Sequence, residues 1–165
     1  MKRLLPLLLC LLTAFGCAKS AGSNLYKNGF FTASLPDTFE PVRNSAIVCF
    51  APNGDPLLSS SITFYSTELN WYFEDFTESE YRDALRTMTG YEELTLNSVD
   101  SVLVDGFHAR RIACKVRIDQ GIHDLIIYAV SADQTYFFTL LNRDADNYIS
   151  AFDQMMKTVQ FTKAS

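Results

Sequence analysis

Only two histidines, His108 and His123, stand in this 165-residue chain, and imidazole is the side chain best suited to bind a metal or move a proton near neutral pH. Both fall in segments predicted to pair as adjacent strands, so they could face each other across the ladder, with Asp124 beside His123 and Arg110 on the face of His108. A zinc-type site would take a third ligand from Asp105 or Asp119. The plainer reading is a pair of surface or strand-end histidines satisfied by neighbours, and no metal is expected. Cys49 and Cys114 lie in the strand-like runs 45–51 and 110–116. They read as two separate buried thiols acting as small apolar groups; a disulfide would require their α-carbons to approach within bridging distance. The chain has no Gly-x-Ser-x-Gly elbow, His-Glu-x-x-His, Cys-x-x-Cys or phosphate-cradling glycine loop. No catalytic residue and no cofactor are therefore expected.

Recognition has better material. Residues 69–76 (Leu-Asn-Trp-Tyr-Phe-Glu-Asp-Phe) carry four aromatics outside any clear period, and Trp71, Tyr72 and Phe73 are the candidate partner-binding residues, since such clusters form hot spots or line clefts. The alternative is that they cover a sheet face no helix reaches. The acids Glu74, Asp75, Glu78, Glu80 and Asp83 read as a solvated helix start favoured by the helix dipole. Arg110, Arg111, Lys115 and Arg117 are divided between two strand faces by alternation, which breaks up any continuous anion site.

The other reactive group is the thiol of Cys17. Lys2 and Arg3 precede an apolar stretch from Leu4 to Phe15, interrupted only by Pro6 and Thr13. That is the length of a signal-peptide core and short of the roughly 20 residues a membrane-spanning helix needs. The ending Ala14-Phe15-Gly16-Cys17 resembles the lipobox of bacterial lipoproteins, although Ala14 stands where that family usually has Leu and Phe15 is bulkier than its usual neighbour. The resemblance implies cleavage before Cys17 and diacylation of its sulfur, giving a membrane-anchored, extracytoplasmic chain. Gly16-Cys17-Ala18 also fits ordinary signal peptidase, which would release a secreted protein. The expected layout is a signal peptide over residues 1–16, a lipidated Cys17 with a flexible tether over 17–28, and a single domain over 29–162.

Removal of the leader takes Lys2 and Arg3 and no acid, leaving 12 basic against 19 acidic residues and a formal charge of −7. That sign opposes nucleic acid, which is excluded as a partner, and opposes anionic lipid headgroups. The remaining length suffices for one domain burying about two thirds of its unfolded surface without covalent staples.

The elements that must position these residues follow from periodicity. Residues 30–36 read as a strand stopped by Pro36, with Asp37-Thr38-Phe39 turning into Glu40-Pro41. Residues 45–51 are a second strand, and Pro52-Asn53-Gly54-Asp55-Pro56 a turn. Residues 57–65 alternate, with Leu58, Ser60, Ile62 and Phe64 on one side and Ser59, Ser61, Thr63 and Tyr65 on the other. Thr77-Glu78-Ser79-Glu80 is a capping box opening a helix with Tyr81, Ala84, Leu85 and Met88 on one face and Gly90 as its left-handed stop. Strands over 92–103 and 108–118 flank Asp105-Gly106, a primed hairpin turn. Asp119-Gln120-Gly121 then leads into 122–130, apolar on both faces in its middle and so central in a sheet covered on both sides. A strand over 135–141 completes this meander. A last helix starts near 144–147 and buries Tyr148, Ile149, Phe152, Met156 and Val159, before a closing strand at Gln160-Phe161.

The opening Gly29-Phe-Phe-Thr-Ala-Ser-Leu-Pro36, the turn Val104-Asp-Gly-Phe-His-Ala-Arg110 into a long strand, the apolar partner strand and the final helix into Gln160-Phe161 together resemble the PsbP-like superfamily, named for an oxygen-evolving-complex subunit. The similarity spans most of residues 29–162. It implies an α+β fold, mainly antiparallel sheet with helices packed on both faces in an α/β/α sandwich, and it implies no activity, because this fold hosts unrelated roles. The functional expectation is a lipid-anchored, extracytoplasmic, non-enzymatic binding or accessory domain whose partner is an envelope protein or small ligand. The alternatives are a small hydrolase-type envelope enzyme with a dispersed active site, or a ligand-carrying accessory subunit of a membrane complex. A deep pocket with convergent polar groups favours the alternatives; a shallow exposed apolar patch favours the first.

Overall fold

The computed structural model describes residues 24–43, 45–52, 54–56, 59–67, 76–143 and 147–162. In chain order the elements are β1 (Asn24–Lys27), β2 (Phe31–Leu35), β3 (Phe39–Pro41), β4 (Val48–Pro52), β5 (Ser61–Thr67), α1 (Glu78–Thr89), β6 (Leu94–Val104), β7 (Phe107–Ile118), β8 (Gly121–Ser131), β9 (Thr135–Asn142), α2 (Ile149–Met156) and β10 (Gln160–Phe161). Seven strands form one antiparallel sheet in the order β3-β4-β5-β9-β8-β7-β6, and β1-β2-β10 form a second, three-stranded sheet. The expected meander from β6 to β9 is the spine of the large sheet.

Its hairpins close as their residues dictate. Asp105 and Gly106 both take positive φ, 49° and 82°, the primed geometry whose twist matches the strands. Asp119, also at positive φ, turns β7 into β8, with Ile118 opposite Gly121. Leu125 to Val130 of β8 are all buried, because Leu125, Ile127 and Ala129 enter one core while Ile126, Tyr128 and Val130 enter the other. The double apolarity thus reflects cover on both sides.

On one face sits α1. Thr77 and Glu80 form both halves of the capping box, and Gly90 closes the helix at φ 74°, donating its N–H to the Arg86 carbonyl. Tyr81 and Leu85 bury against Leu94, Ile112, Cys114 and Val116. The opposite face is shared by α2 and the small sheet, with Phe152, Met155, Met156 and Val159 from the α2 end and Phe31, Ala33 and Leu35 from β2. Asp153 of α2 ties that layer to the sheet: it accepts from Arg111 Nε and Nη2 at 3.0 Å each and from the Tyr128 hydroxyl at 2.8 Å.

Three expectations need correction. The tether ends before residue 28, since Asn24–Lys27 pair with β2; Tyr26 packs its ring against Phe31, Phe50 and Phe64, and Asn24 Nδ2 donates to the Phe39 carbonyl at 2.6 Å. Residues 39–41, expected as turn, form β3 against β4. Pro41 is tolerated because β3 is an edge strand, and Phe39 is fully buried. The second strand begins at Val48 rather than at Ser45. At α2, Asp144 to Asp146 lie outside the described residues; the Asn147 side chain accepts from the Ile149 N–H at 3.1 Å, and that of Asn142 from Tyr148.

Candidate functional site

The two histidines do not meet. His123 pairs with Val116, eight residues along β7 from His108, which places them about 26 Å apart along the strand. No group of three metal-ligating side chains occurs among the described residues. Cys49 pairs with Thr63 of β5 and Cys114 with Leu125 of β8. Four strand steps separate them, about 19 Å, and both thiols are free. Burial pushes the Cys49 thiol up and the Cys114 thiol up to about 12, so both are held protonated. Three of the four lysine and arginine side chains of β7 pair with carboxylates: Arg111 with Asp153, Lys115 with Asp124 and Arg117 with Glu93. Cys17, Trp71, Tyr72 and Phe73 lie outside the described residues.

A groove does form on the face carrying α1, where the helix leaves β5 and β9 to one side. Its floor is Ser61, Thr63 and Tyr65 of β5 with Thr139 and Leu141 of β9; Met88 of α1 and Tyr91 just beyond that helix wall it on one side and Ile47, just ahead of β4, on another, and its volume is about 240 Å³. Alternation builds the floor, because Ile62 and Phe64 point into the opposite core. Thr63 lies opposite Thr139, and the Thr139 Oγ1 is buried with no hydrogen-bond partner among the described residues. Tyr65 stacks on Phe137, centroids 4.8 Å apart and planes 13° off parallel. Burial raises the pKa of Tyr65 and of Tyr91, the latter opposed in part by Arg143.

Among the described residues the lining carries no charged side chain, and its phenols are held neutral. Such a surface can desolvate an uncharged group and offer it hydroxyl hydrogen bonds. Among the described residues of the lining there is no group poised to give up or accept a proton near neutral pH. The sequence had signalled the floor through the Ser61, Thr63, Tyr65 alternation; it gave no sign that β9 would add Thr139 opposite, since that depends on the pairing of strands over seventy residues apart.

No protein-family model matches the chain, and no curated protein matches it by sequence. Its fold does have solved counterparts. The solution structure of cyanobacterial PsbP (CyanoP) from Synechocystis sp. PCC 6803 superposes with a TM-score of 0.59 at 14% identity, over 92% of this chain and 99% of that one. LpqN, involved in cell envelope biogenesis of Mycobacterium tuberculosis, gives 0.55 at 12% identity, over 81% and 83%. PA94 of Pseudomonas aeruginosa, a protein of unknown function, gives 0.54 at 16% identity, over 86% and 97%. The chain therefore has an α+β, PsbP-like fold. Among the described residues no helix is long and apolar enough to cross a membrane.

Proposed function

We propose that this chain is an extracytoplasmic, non-enzymatic binding domain, held to the membrane by a diacylated Cys17, that seats an uncharged ligand or a partner's apolar side chain in the groove beside α1. The observation that carries the binding role is the neutral, hydroxyl-floored groove with the Thr139 Oγ1 buried and unpartnered. A buried hydroxyl without a partner costs free energy, and a bound group that hydrogen-bonds to it recovers that cost. The thiols support binding over covalent chemistry, being held in the unreactive protonated form. The fold it shares with LpqN, a protein of cell envelope biogenesis, is compatible with an envelope role, and the leader supplies the export signal.

The test has two readouts. Mass spectrometry of the mature N-terminal peptide is expected to start at Cys17 and carry a diacylglycerol; an unmodified start elsewhere would move the chain to the secreted class. Molecules that co-purify from mildly solubilised membranes are expected to be lost when Thr63→Trp fills the groove. Their full retention in a folded Thr63→Trp chain would remove the groove from the account.

A further inference from the structure

The end of the molecule formed by the β1–β2 and β6–β7 turns presents aromatic side chains outward on a rigid frame. Phe30 is 53% exposed and Phe107 37%. The Asn28 side chain accepts from the N–H groups of Phe30 and Phe31 at 2.8 Å each, and the Phe30 carbonyl accepts from Thr162 N–H at 2.7 Å. Asp105, in the other turn, accepts from Phe161 N–H at 2.8 Å. Between the two turns the rings run on continuously, Phe107 to Phe161 at 5.3 Å, Phe161 to Tyr136 at 4.9 Å and Tyr136 to Phe30 at 6.2 Å. Leu103, 67% exposed, stands at the same end. The opposite end, at the β7–β8 turn, exposes Ile122.

We infer that this aromatic end is a second contact with the bilayer, orienting the anchored domain with Phe30 and Phe107 in the lipid interface. The inference rests on the proposed acylation of Cys17, and chain length brings the two together. Six residues, 18–23, separate the acylated Cys17 from β1 at Asn24, a reach of at most about 25 Å. Asn24 lies opposite Leu35 and Lys27 opposite Thr32, so the chain enters about 13–17 Å from the Phe30 turn. The tether therefore spans the distance with the acyl chains inserted and the aromatic end on the surface. Exposed phenylalanine rings gain by burial at the boundary between headgroups and acyl chains. The nearby carboxylates belong to exposed residues but are held by hydrogen bonds, that of Asp105 accepting from Phe161 N–H and that of Asp133 from the Tyr136 hydroxyl. The net charge of the mature chain directs the contact to zwitterionic rather than anionic headgroups.

The test uses the acylated full chain reconstituted into phosphatidylcholine vesicles, with p-benzoylphenylalanine replacing Phe30, Phe107 or Ile122 in turn. After irradiation, phospholipid adducts at the first two positions are expected to exceed those at Ile122 by about tenfold, the factor expected from half-burying two phenyl rings. Equal yields at the three positions would overturn the inference, as would adducts formed mainly with a second copy, or with another protein when native membranes replace the vesicles. A Cys17→Ser chain mixed with the same vesicles separates this idea from the anchor: lipid adducts at Phe30 without any acyl group keep the contact, while the mass of the N-terminal peptide alone decides the anchor. All three positions are exposed, so circular dichroism of the substituted chains is expected to match the parent.

Discussion

Thr139→Val removes the hydroxyl that has no partner and keeps the shape of the side chain. In the folded chain that oxygen has been taken from water without a replacement hydrogen bond, a penalty of about 1–3 kcal/mol. The incoming methyl adds about 0.8 kcal/mol of apolar burial beside Leu125 and Leu141. Thr139 as a whole is only partly buried, so the lower part of these ranges applies and the expected net gain is about 1–2 kcal/mol. For a domain of this size each kcal/mol moves Tm by about 3–4 °C, which gives a rise of about 3–8 °C. Urea unfolding is the cleaner assay, because a higher midpoint at unchanged slope isolates stability from compactness. Ser60→Ala is the internal control. Ser60 is fully buried, and its Oγ accepts from Arg143 N–H at 2.9 Å, so losing it should cost about 1–2 kcal/mol. A loss of stability in Thr139→Val, or the same sign in both variants, would refute the reasoning that Thr139 is held in the groove at the expense of the fold. The same variant is expected to retain less of any co-purified ligand.

Asp153→Asn, which removes the charge partner of Arg111 at sites only 20% and 31% exposed, should destabilise by about 1–3 kcal/mol by denaturant unfolding, after discounting for solvent screening; Tyr128→Phe, losing one hydrogen bond to the same carboxylate, should cost about 1 kcal/mol. Because burial lifts the Cys114 thiol to about 12, iodoacetamide at mildly alkaline pH should label it only on unfolding, and reductant should leave Tm unchanged. Glu80 is held below the ordinary carboxyl range by the Thr77 backbone and side chain. Its contribution is therefore present above that range and lost as pH falls through the lowered value, so the acid loss of α1 helicity seen by circular dichroism should flatten in Glu80→Gln.

Local chemistry was legible wherever a short segment decides its own geometry. The capping box at Thr77 and Glu80, the stop at Gly90 and the Asp105-Gly106 turn each follow from a few adjacent residues, and so does the placement of β8 inside the sheet. What escaped was set by distant pairing. β1 is a strand only because β2 and the ring cluster around Tyr26 receive it, and β3 only because the sheet edge accepts Pro41. The histidines illustrate the same limit: both lie in adjacent strands, as the alternation implies, yet register puts them at opposite ends of one hairpin. The aromatic candidates Trp71, Tyr72 and Phe73 fall outside the described residues, so the groove stands on residues chosen by pairing rather than by composition.

The groove follows from a mismatch of lengths. Twelve residues of helix make α1 about 18 Å long, while the eleven residues of β6 or β8 extend about 36 Å. One such helix is too short to cover the whole sheet, and its buried side chains, Tyr81 and Leu85, join the core formed by Leu94 of β6, Ile112, Cys114 and Val116 of β7 and Leu125 and Ile127 of β8. β8 lies under cover on both sides and is apolar on both. β5 is buried on one side by Ile62 and Phe64 but carries Ser61, Thr63 and Tyr65 on the other. Were that second side merely core, valine or isoleucine at Thr63 and Thr139 would fill it with less cost than a buried hydroxyl. A chain that keeps hydroxyls there forgoes stability at one place on its sheet, and proteins do this where a surface has to meet something other than themselves. Thr63→Val combined with Thr139→Val should therefore give a more stable domain that no longer holds its ligand, whereas a role confined to packing predicts that the double variant gains stability and loses nothing.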